Sequence, residues 1–336
     1  MGFNMRSGRS CAAMKRPGIV LFLAALLLLI AFAARWFDAG TYMRNFEMDA
    51  YDPHQTFIEP TVITRGLAVY IVGEGEPILL FPYPHAGTSE PMAQSDLADK
   101  FAALGRRVIT FDVPGAYAST REPQVDMAEM LECALDALEA AGVAGKIDVA
   151  GHSMGGLVAL AFALEHPGRV DQLLLINTLS GFDASLKWGL PGSAWAWHQK
   201  EYWQLIYWGI LLQSGHGDLA MHKRLMHILE EASYVDKSRV LPLVIDERDK
   251  GTATPVRFRW SKALWDIGYA DQLERLAAPT LITAGRYDPQ TPIGCAQELA
   301  EGIPNSRLEV FEMSGHNPFV EETDTFWAVV EDFLQE

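Results

Sequence analysis

From residue 57 onward, short apolar runs alternate with longer amphipathic segments. The short runs are rich in Val, Ile, Leu and Phe, a composition typical of strands that are buried on both faces of a sheet. The longer segments carry apolar residues at helical spacing, and several of them stop at a Gly. Strands that alternate with helices favour a parallel sheet with right-handed crossovers. The pattern therefore predicts an α/β fold in which helices flank a mostly parallel sheet.

The predicted elements can be placed along the chain with approximate bounds. Two runs around the turn Arg65-Gly66, at 60–64 and 67–72, indicate a hairpin. Buried strands are predicted at 78–81, 107–111, 147–150, 173–177, 280–284 and 308–311. Helices are predicted at 95–104, 126–141, 157–164, 296–301 and 324–334.

The alternation breaks near Phe182 and resumes at Thr280. The segment between them is helical in pattern and rich in tryptophan, with Trp188, Trp195, Trp197, Trp203, Trp208, Trp260 and Trp265. We interpret 182–275 as a helical cap inserted into a core of 57–181 and 276–336. Aromatic residues at helical spacing usually pack inward. Such a large number of aromatic residues in one insertion is also consistent with an apolar surface that covers a site and partly excludes water from it. Both interpretations stay open.

The first residues of the chain differ from the rest because they combine basic residues with a long apolar run. Basic residues frame an apolar run at 19–34, in which every side chain is Ala, Val, Ile, Leu or Phe. The run is slightly short of the roughly 20 residues that span a bilayer and slightly long for the core of a secretory signal. We expect a basic cytoplasmic leader at 1–17, an uncleaved transmembrane anchor at 18–37 and a connector at 38–56, with signal cleavage as the alternative. Either outcome places the rest of the chain outside the cytoplasm, membrane-anchored or secreted.

Composition narrows the possible partners. The 336 residues are 49% hydrophobic, ample for a large packed core, and carry a formal net charge of −16. Nucleic acid is excluded as a partner because no basic stripe is present to neutralise phosphates.

The three cysteines do not form a disulfide scaffold, although a Cys133–Cys295 bridge is an alternative outside the cytoplasm. No spacing of Cys and His indicates a zinc site, and we expect neither a metal nor a cofactor.

Residues 151–156, Gly-His-Ser-Met-Gly-Gly, match G-x-S-x-G between a predicted strand and a predicted helix. This is the context of a nucleophile elbow, a sharp turn that lifts a serine hydroxyl above the end of a sheet. Gly151 and Gly155 allow the close backbone approach that a side chain would block. Ser153 is therefore the candidate nucleophile, and Met154 supplies a backbone N–H to an oxyanion hole. We interpret His152 as a packed residue of the elbow rather than as a catalyst.

A serine hydroxyl is a weak nucleophile and needs a base, which in turn needs an orienting acid. Asp288 follows the predicted strand 280–284, and His316 follows the predicted strand 308–311. Both therefore lie just beyond the carboxyl edge of the sheet, where the sites of open α/β sheets form. Taken singly, Asp288 could cap the next helix and His316 could be an ordinary loop residue. The order Ser, Asp, His favours a catalytic triad, with Asp183 as the alternative acid.

Two further segments make the chain resemble the α/β-hydrolase superfamily. The first is Leu-Glu-Arg-Leu at 273–276 leading to Gly-Arg-Tyr-Asp at 285–288, and the second is Ser-Gly-His-Asn-Pro-Phe at 314–319. Both look like the capped branch that includes proline iminopeptidases and related esterases. The resemblance covers about residues 57–336.

The resemblance implies hydrolysis through an acyl-enzyme. Ser153 would attack a carbonyl, His316 would shuttle the proton, and Asp288 would hold the imidazole. The loop after the strand 78–81 departs from the family pattern, because it has Pro-Tyr-Pro-His-Ala-Gly at 82–87 where the family has His-Gly.

The second oxyanion donor is expected from this loop. Pro82 and Pro84 have no N–H to give. Tyr83 and His85 are the remaining candidates, through the backbone or through the side chain, and the sequence does not choose between them. A rigid proline turn without a catalytic part is the alternative.

The sequence thus predicts a serine hydrolase that cleaves a small-molecule ester or amide with an apolar acyl portion. Two alternatives stay open. A proline-iminopeptidase-like aminopeptidase would act on a short peptide, and a ligand sensor would keep the fold without hydrolysis. The triad residues favour an enzyme, whereas the two prolines of the oxyanion loop favour a sensor.

Overall fold

The computed structural model describes residues 21, 23–33, 58–84, 91–184, 187–188, 228, 230–240, 263 and 266–336. The chain divides into two units, Met1–Phe46 and Glu47–Glu336. In the first unit, residues 21 and 23–33 are helical and exposed. Across the described ranges, no helix combines the length and the apolar character needed to span a bilayer. Most of the predicted leader, anchor and connector falls outside these ranges, so the anchor at 18–37 stays a prediction.

The second unit is built on an eight-stranded sheet. Its strands are β1 (Val62–Thr64), β2 (Leu67–Val72), β3 (Glu76–Phe81), β4 (Arg106–Phe111), β5 (Ile147–His152), β6 (Val170–Ile176), β7 (Thr280–Gly285) and β8 (Ser306–Phe311). Their order in the sheet is β1-β2-β4-β3-β5-β6-β7-β8. β1 and β2 form the expected hairpin, and β2 is antiparallel to β4. The other neighbours are parallel, which confirms the prediction of a mostly parallel sheet.

Helices occupy the connections between the strands. In the described part of this unit they are α1 (Asp96–Ala103), α2 (Met127–Ala140), α3 (Met154–Glu165), α4 (Ile293–Gly302), α5 (Pro318–Glu321) and α6 (Thr323–Phe333). Short 3₁₀ segments lie at Met92–Gln94, Pro167–Arg169, Lys237–Arg239 and Ala270–Arg275. Side-chain caps fix two helix starts: Ser95 accepts the N–H of Ala98 at 3.2 Å, and Asp126 accepts that of Glu129 at 2.8 Å. Each cap gives a partner to an N–H that has none within its helix.

The central strands of the sheet are buried on both faces. Successive side chains of a strand point to opposite sides, so each strand contributes to two apolar clusters. In β3, Leu79 and Phe81 pack in one apolar cluster, whereas Ile78 and Leu80 pack in the other. α3 lies against the first cluster and is buried along nearly its whole length. Its sequence is apolar on all sides, as expected of a helix that has no face in solvent.

The carboxyl ends of the parallel strands meet at one edge of the sheet. The pairs nearest that edge are Phe81 with Gly151, His152 with Ile176, Ile176 with Thr283, and Gly285 with Phe311. The loops that follow β5, β7 and β8 carry Ser153, Asp288 and His316. These three residues are distant from one another in sequence, and the pairing of the parallel strands brings them to the same edge of the sheet.

The two ends of the predicted insertion lie side by side. Gly181 forms an isolated bridge with Gly268, and the N–H of Tyr269 donates to the carbonyl of Ser180 at 2.7 Å. Most of the predicted cap at 182–275 is outside the described residues, so its boundaries stay a prediction.

Of the cap tryptophans, Trp188 lies within the described residues and the other six lie outside them. The Trp188 ring packs on Gly294 of α4, and its indole N–H donates to Glu298 at 3.1 Å. This tryptophan therefore packs on the core formed by the sheet and its helices.

Cys133 in α2 and Cys295 in α4 are buried free thiols, so the alternative of a disulfide between them is wrong. Burial raises the pKa of each thiol to about 12, which keeps both protonated and unreactive at neutral pH. Among the residues that can be described, no three side chains of His, Cys, Asp or Glu are grouped to hold a metal ion.

Candidate active site

Ser153 occupies the turn between β5 and α3, with φ of 53° and ψ of −124°. A positive φ is unfavourable for a residue with a Cβ, so such a turn persists only where the surrounding structure holds it. The Ser153 N–H donates to the carbonyl of Ile176 at 2.9 Å, and its carbonyl accepts the hydroxyl of Thr178 at 2.6 Å. The strained turn is thus fixed from both sides, in the geometry of a nucleophile elbow.

Gly151 and Gly155 flank this turn at places where a side chain does not fit. A Cβ on Gly151 would collide with the carbonyl of Gly155, and a Cβ on Gly155 would lie 2.7 Å from the carbonyl of Phe81. The close approach of β3, β5 and α3 therefore requires both glycines. Ser153 itself remains slightly accessible, with 9% of its surface exposed.

The structure brings the side chains of Asp288 and His316 together. His316 Nδ1 lies 2.7 Å from Asp288 Oδ2, and both side chains are buried. Because an ionised carboxylate only accepts hydrogen bonds, Nδ1 of His316 carries a proton. In the neutral imidazole the other nitrogen, Nε2, is then available as a base.

Four further hydrogen bonds hold the Asp288 carboxylate. Oδ2 accepts from the Thr291 hydroxyl at 2.6 Å and from the Asn177 amide at 3.0 Å. Oδ1 accepts from the backbone N–H groups of Gln290 and Thr291 at 2.8 and 2.9 Å. Burial alone would raise the pKa of this carboxyl, but the His316 ring and the Thr291 hydrogen bonds lower it below its usual range. Asp288 is therefore ionised at neutral pH.

The contacts distinguish between the two candidate acids. Asp288 accepts the backbone N–H groups of Gln290 and Thr291 and contacts His316. It does not cap α4, whose N-cap is Pro292, so the alternative of a simple helix cap is wrong. Asp183 is exposed and lies beside Gly181. The acid that meets the imidazole is Asp288.

His152 is the last residue of β5, directly before Ser153, and it contacts His316. Its Nε2 is 2.9 Å from the carbonyl oxygen of His316, and the centroids of the two rings are 4.5 Å apart. The rings of Phe319 and Tyr83 also pack on His152, at 5.1 and 5.8 Å between centroids. The His316 ring therefore lies against the residue that immediately precedes Ser153.

Two of the three predicted oxyanion donors can be located. Met154 is the first residue of α3, so its N–H is among those that have no partner within the helix. Tyr83 follows β3, and its phenol oxygen lies 2.7 Å from Nδ1 of His152. His85 falls outside the described residues. The structure thus places the Tyr83 side chain against the elbow.

Asn177 is a residue of the site that sequence reasoning missed. It follows β6 with a positive φ of 43°, and its amide donates to Asp288 Oδ2 at 3.0 Å and to the Gly315 carbonyl at 3.2 Å. It therefore joins the acid loop to the histidine loop. One signal was present in the sequence: Asn at a strand end tolerates the left-handed conformation better than most residues.

Glu321 of α5 is a second such residue, and no motif marks it. Its Oε1 accepts two backbone N–H groups of the segment 233–236 at 2.7 and 3.0 Å, and its Oε2 accepts that of Gly315 at 2.6 Å. The N–H of His316 donates to the Ser233 carbonyl at 2.7 Å. Burial raises the pKa of the Glu321 carboxyl, and the three backbone donors oppose that rise. A part of the predicted cap is thereby tied to the histidine loop.

The chain is similar to known proteins in both sequence and structure. The family model described as alpha/beta hydrolase fold matches residues 77–323. A 2-hydroxymuconate semialdehyde hydrolase of Pseudomonas putida is 30% identical over 267 residues, covering 79% of this chain and 89% of that protein. A proline iminopeptidase of Lactobacillus helveticus is 26% identical over 290 residues, covering 79% of this chain and 93% of the relative. A solved α/β fold family hydrolase of Bacillus anthracis superposes with a TM-score of 0.66 at 23% identity, over 83% of this chain and 98% of its own.

Proposed function

This chain belongs to the α/β-hydrolase fold family, and from that premise we propose that it is a serine hydrolase with the triad Ser153, His316 and Asp288. The observation that carries the proposal is the 2.7 Å hydrogen bond between His316 Nδ1 and Asp288 Oδ2, made by an imidazole that lies against the elbow. A fold does not determine an activity by itself. A buried acid that orients an imidazole, packed against the residue before a strained serine, supports this activity.

In the proposed reaction, Ser153 Oγ attacks the carbonyl carbon of the substrate, and its proton passes to His316 Nε2. One electron pair of the carbonyl bond moves onto oxygen, and a tetrahedral intermediate forms. When the intermediate collapses, the bond to the leaving alkoxide or amine breaks, and that group takes the proton from His316. Water then attacks the acyl-enzyme in the same way, which releases the acid and restores Ser153.

The charges that develop in these steps have partners in the site. Ionised Asp288 stabilises the imidazolium that forms on His316. The N–H of Met154 lies at the N-terminus of α3, where the helix dipole favours negative charge, and it would donate to the oxyanion. Tyr83 or His85 would supply the second donor. Each donor of this kind typically contributes about 100- to 1000-fold in rate.

The substrate that we propose is a small ester or amide with an apolar acyl portion. The tryptophan-rich insertion supports this class, because an apolar cover partly excludes water and favours apolar groups. A proline-iminopeptidase-like aminopeptidase is the second candidate, favoured by the 26% identity to such an enzyme over 79% of this chain. The loop at 82–87, which lacks the His-Gly of the family, speaks against this candidate.

Hydrolysis of p-nitrophenyl butyrate and of a prolyl p-nitroanilide by the full-length chain separates these candidates. We expect turnover of the ester, because the proposed acyl portion is apolar. Ser153→Ala should lose at least about 1000-fold in kcat, since it removes the nucleophile. Ser238→Ala is the matched control, because this serine is exposed, and it should keep the wild-type rate.

The results that would change the assignment are distinct. Turnover of the prolyl substrate alone would make the enzyme an aminopeptidase. A Ser153→Ala variant that turns over either substrate at the wild-type rate would contradict the serine mechanism. A folded wild type that hydrolyses neither would favour a ligand sensor.

A further inference from the structure

His152 connects three parts of the site through one imidazole ring. It immediately precedes Ser153, its Nδ1 lies 2.7 Å from the phenol oxygen of Tyr83, and its Nε2 lies 2.9 Å from the carbonyl oxygen of His316. Tyr83 belongs to the loop after β3, and His316 belongs to the loop after β8. Only 3% of the His152 surface is exposed, so water does not compete strongly for these contacts.

The two contacts define which nitrogen of this ring is protonated. A backbone carbonyl oxygen can only accept, so Nε2 of His152 must carry the proton and donate it to His316. In the neutral ring Nδ1 is then an acceptor, and the hydroxyl of Tyr83 donates to it. Burial lowers the pKa of His152 to about 3, which keeps the ring neutral. The hydrogen bonds therefore run from Tyr83 to His152 and from His152 to His316.

The main chain of His316 is held on both sides. Its carbonyl accepts from His152, and its N–H donates to the Ser233 carbonyl at 2.7 Å. Its ring is held through Nδ1 by Asp288. These bonds together set the position of the imidazole, and proton transfer from a serine requires that position to lie within hydrogen-bond reach.

We propose that His152 is a positioning residue that fixes the backbone of His316 through its Nε2–H, and that Tyr83 keeps it in the required tautomer. This inference rests on the proposed serine-hydrolase function, and it gives His152 no contact with the substrate. The alternative is that His152 only fills space beneath the elbow. Positioning would affect kcat, whereas space filling would affect stability alone.

Loss of the Nε2–H donor should slow the catalytic step more than it weakens substrate binding. A displacement of about 1 Å can cost on the order of 100-fold in rate. We expect His152→Leu, which keeps bulk without a donor, to reduce kcat by roughly 10- to 100-fold and to change KM by less than about threefold. His152→Gln returns an amide N–H near the position of Nε2 and should recover most of the rate.

Tyr83→Phe keeps the aromatic ring and the backbone N–H of Tyr83 but removes the hydroxyl. We expect kcat to fall by about three- to tenfold, because Nδ1 of His152 loses its donor and the other tautomer becomes accessible. In the His152→Leu background the same change should add little, since the acceptor is already absent. Such non-additivity is characteristic of two residues that act as a unit.

The experiment measures kcat and KM for p-nitrophenyl butyrate and the rate of labelling by a fluorophosphonate, all in the full-length chain. Thermal unfolding verifies that each variant is folded. His166→Leu is the matched control, because His166 caps the far end of α3, where it packs on Phe162 at 5.0 Å between ring centroids. It should leave kcat and the labelling rate unchanged.

A folded His152→Leu variant with the wild-type kcat overturns the inference, and so does an equal loss in His152→Gln and His152→Leu. If His152→Leu does not fold, Tyr83→Phe decides. Tyr83→Phe is then measured in the wild type and in the His152→Gln background. A loss of kcat that disappears in the His152→Gln background supports the inference, and an unchanged rate, or the same loss in both backgrounds, overturns it. Failure of the proposed function looks different, because the wild type would then neither label at Ser153 nor hydrolyse the ester.

Discussion

Asp288 is a buried charge that is stabilised by its hydrogen bonds. Its side chain has no exposed surface, and it accepts from His316, Thr291, Asn177 and Gln290. An isolated carboxylate in such a place would take up a proton. These donors and the imidazole favour the ionised form instead. At the residue scale, the site thus depends on an acid that stays charged without access to water.

Asp288→Asn tests this role. An amide places an NH₂ group among the donors that the carboxylate accepted, so the His316 ring loses its fixed tautomer. We expect kcat for p-nitrophenyl butyrate to fall roughly 1000- to 10,000-fold, with a smaller change in KM. Asp183→Asn is the control, because this alternative acid is exposed, and it should retain the wild-type kcat. A loss of kcat in Asp183→Asn but not in Asp288→Asn would identify Asp183 as the acid that orients His316.

At the element scale, the loop that carries His316 is held between α5 and the segment 233–236. Glu321 of α5 accepts backbone N–H groups from both the loop and the segment. A Cβ on Gly315 would collide with the Ser233 carbonyl, so a glycine is needed for this close approach. The position of the imidazole is therefore coupled to the part of the cap that contacts the loop.

Glu321→Gln should destabilise this contact. A carboxylate accepts with both oxygens, whereas an amide presents one oxygen and one NH₂ group, so at least one backbone N–H faces another donor. We expect a loss of about 1–3 kcal/mol in the free energy of unfolding, measured by urea denaturation. Glu331→Gln, an exposed change on α6, should shift it by less than about 0.5 kcal/mol. Equal urea midpoints for the two variants would show that the buried Glu321 carboxylate does not contribute to the free energy of unfolding.

At the scale of the whole molecule, a buried neutral histidine links folding to pH. His152 has a pKa of about 3 in the folded protein, against roughly 6.5 for an unfolded histidine. A base with a depressed pKa contributes stability that is present above the unfolded pKa and is lost as the pH falls toward the folded value. Mild acid should therefore favour the unfolded chain well before Asp288 is protonated.

The comparison of wild type with His152→Gln isolates this contribution, because only the wild type can bind a proton at residue 152. Between pH 7 and pH 5, the wild type should lose about 2 kcal/mol more unfolding free energy than the variant. Urea denaturation at the two pH values measures the difference. Parallel losses in the two proteins would contradict a buried, neutral His152.

The fold could be predicted from the sequence because its signals are periodic. Apolar runs mark β3 to β8, and the turn Arg65-Gly66 marks the hairpin of β1 and β2. The meeting of Asp288 with His316 also follows from the pattern, since parallel strands end at one edge of a sheet. The disulfide alternative failed because the two thiols lie in separate helices, buried in the core.

The finer contacts of the site could not be predicted, because they depend on how loops pack. Asn177 and Glu321 carry no motif, and each contacts a segment that is distant in sequence: Asn177 the acid and histidine loops, and Glu321 the segment 233–236. The phenol of Tyr83 points to His152, a pairing that strand and helix patterns do not encode. Side-chain direction in loops is set by tertiary contacts rather than by periodicity.

The proposed function requires Ser153 to be a nucleophile that His316 activates. The most direct measurement is covalent capture: the full-length chain is treated with a fluorophosphonate, and the adduct is located by peptide mass spectrometry. We expect one adduct, on the peptide that contains Ser153, and its disappearance in Ser153→Ala. An unmodified folded wild type, or an adduct that persists in Ser153→Ala, would contradict it.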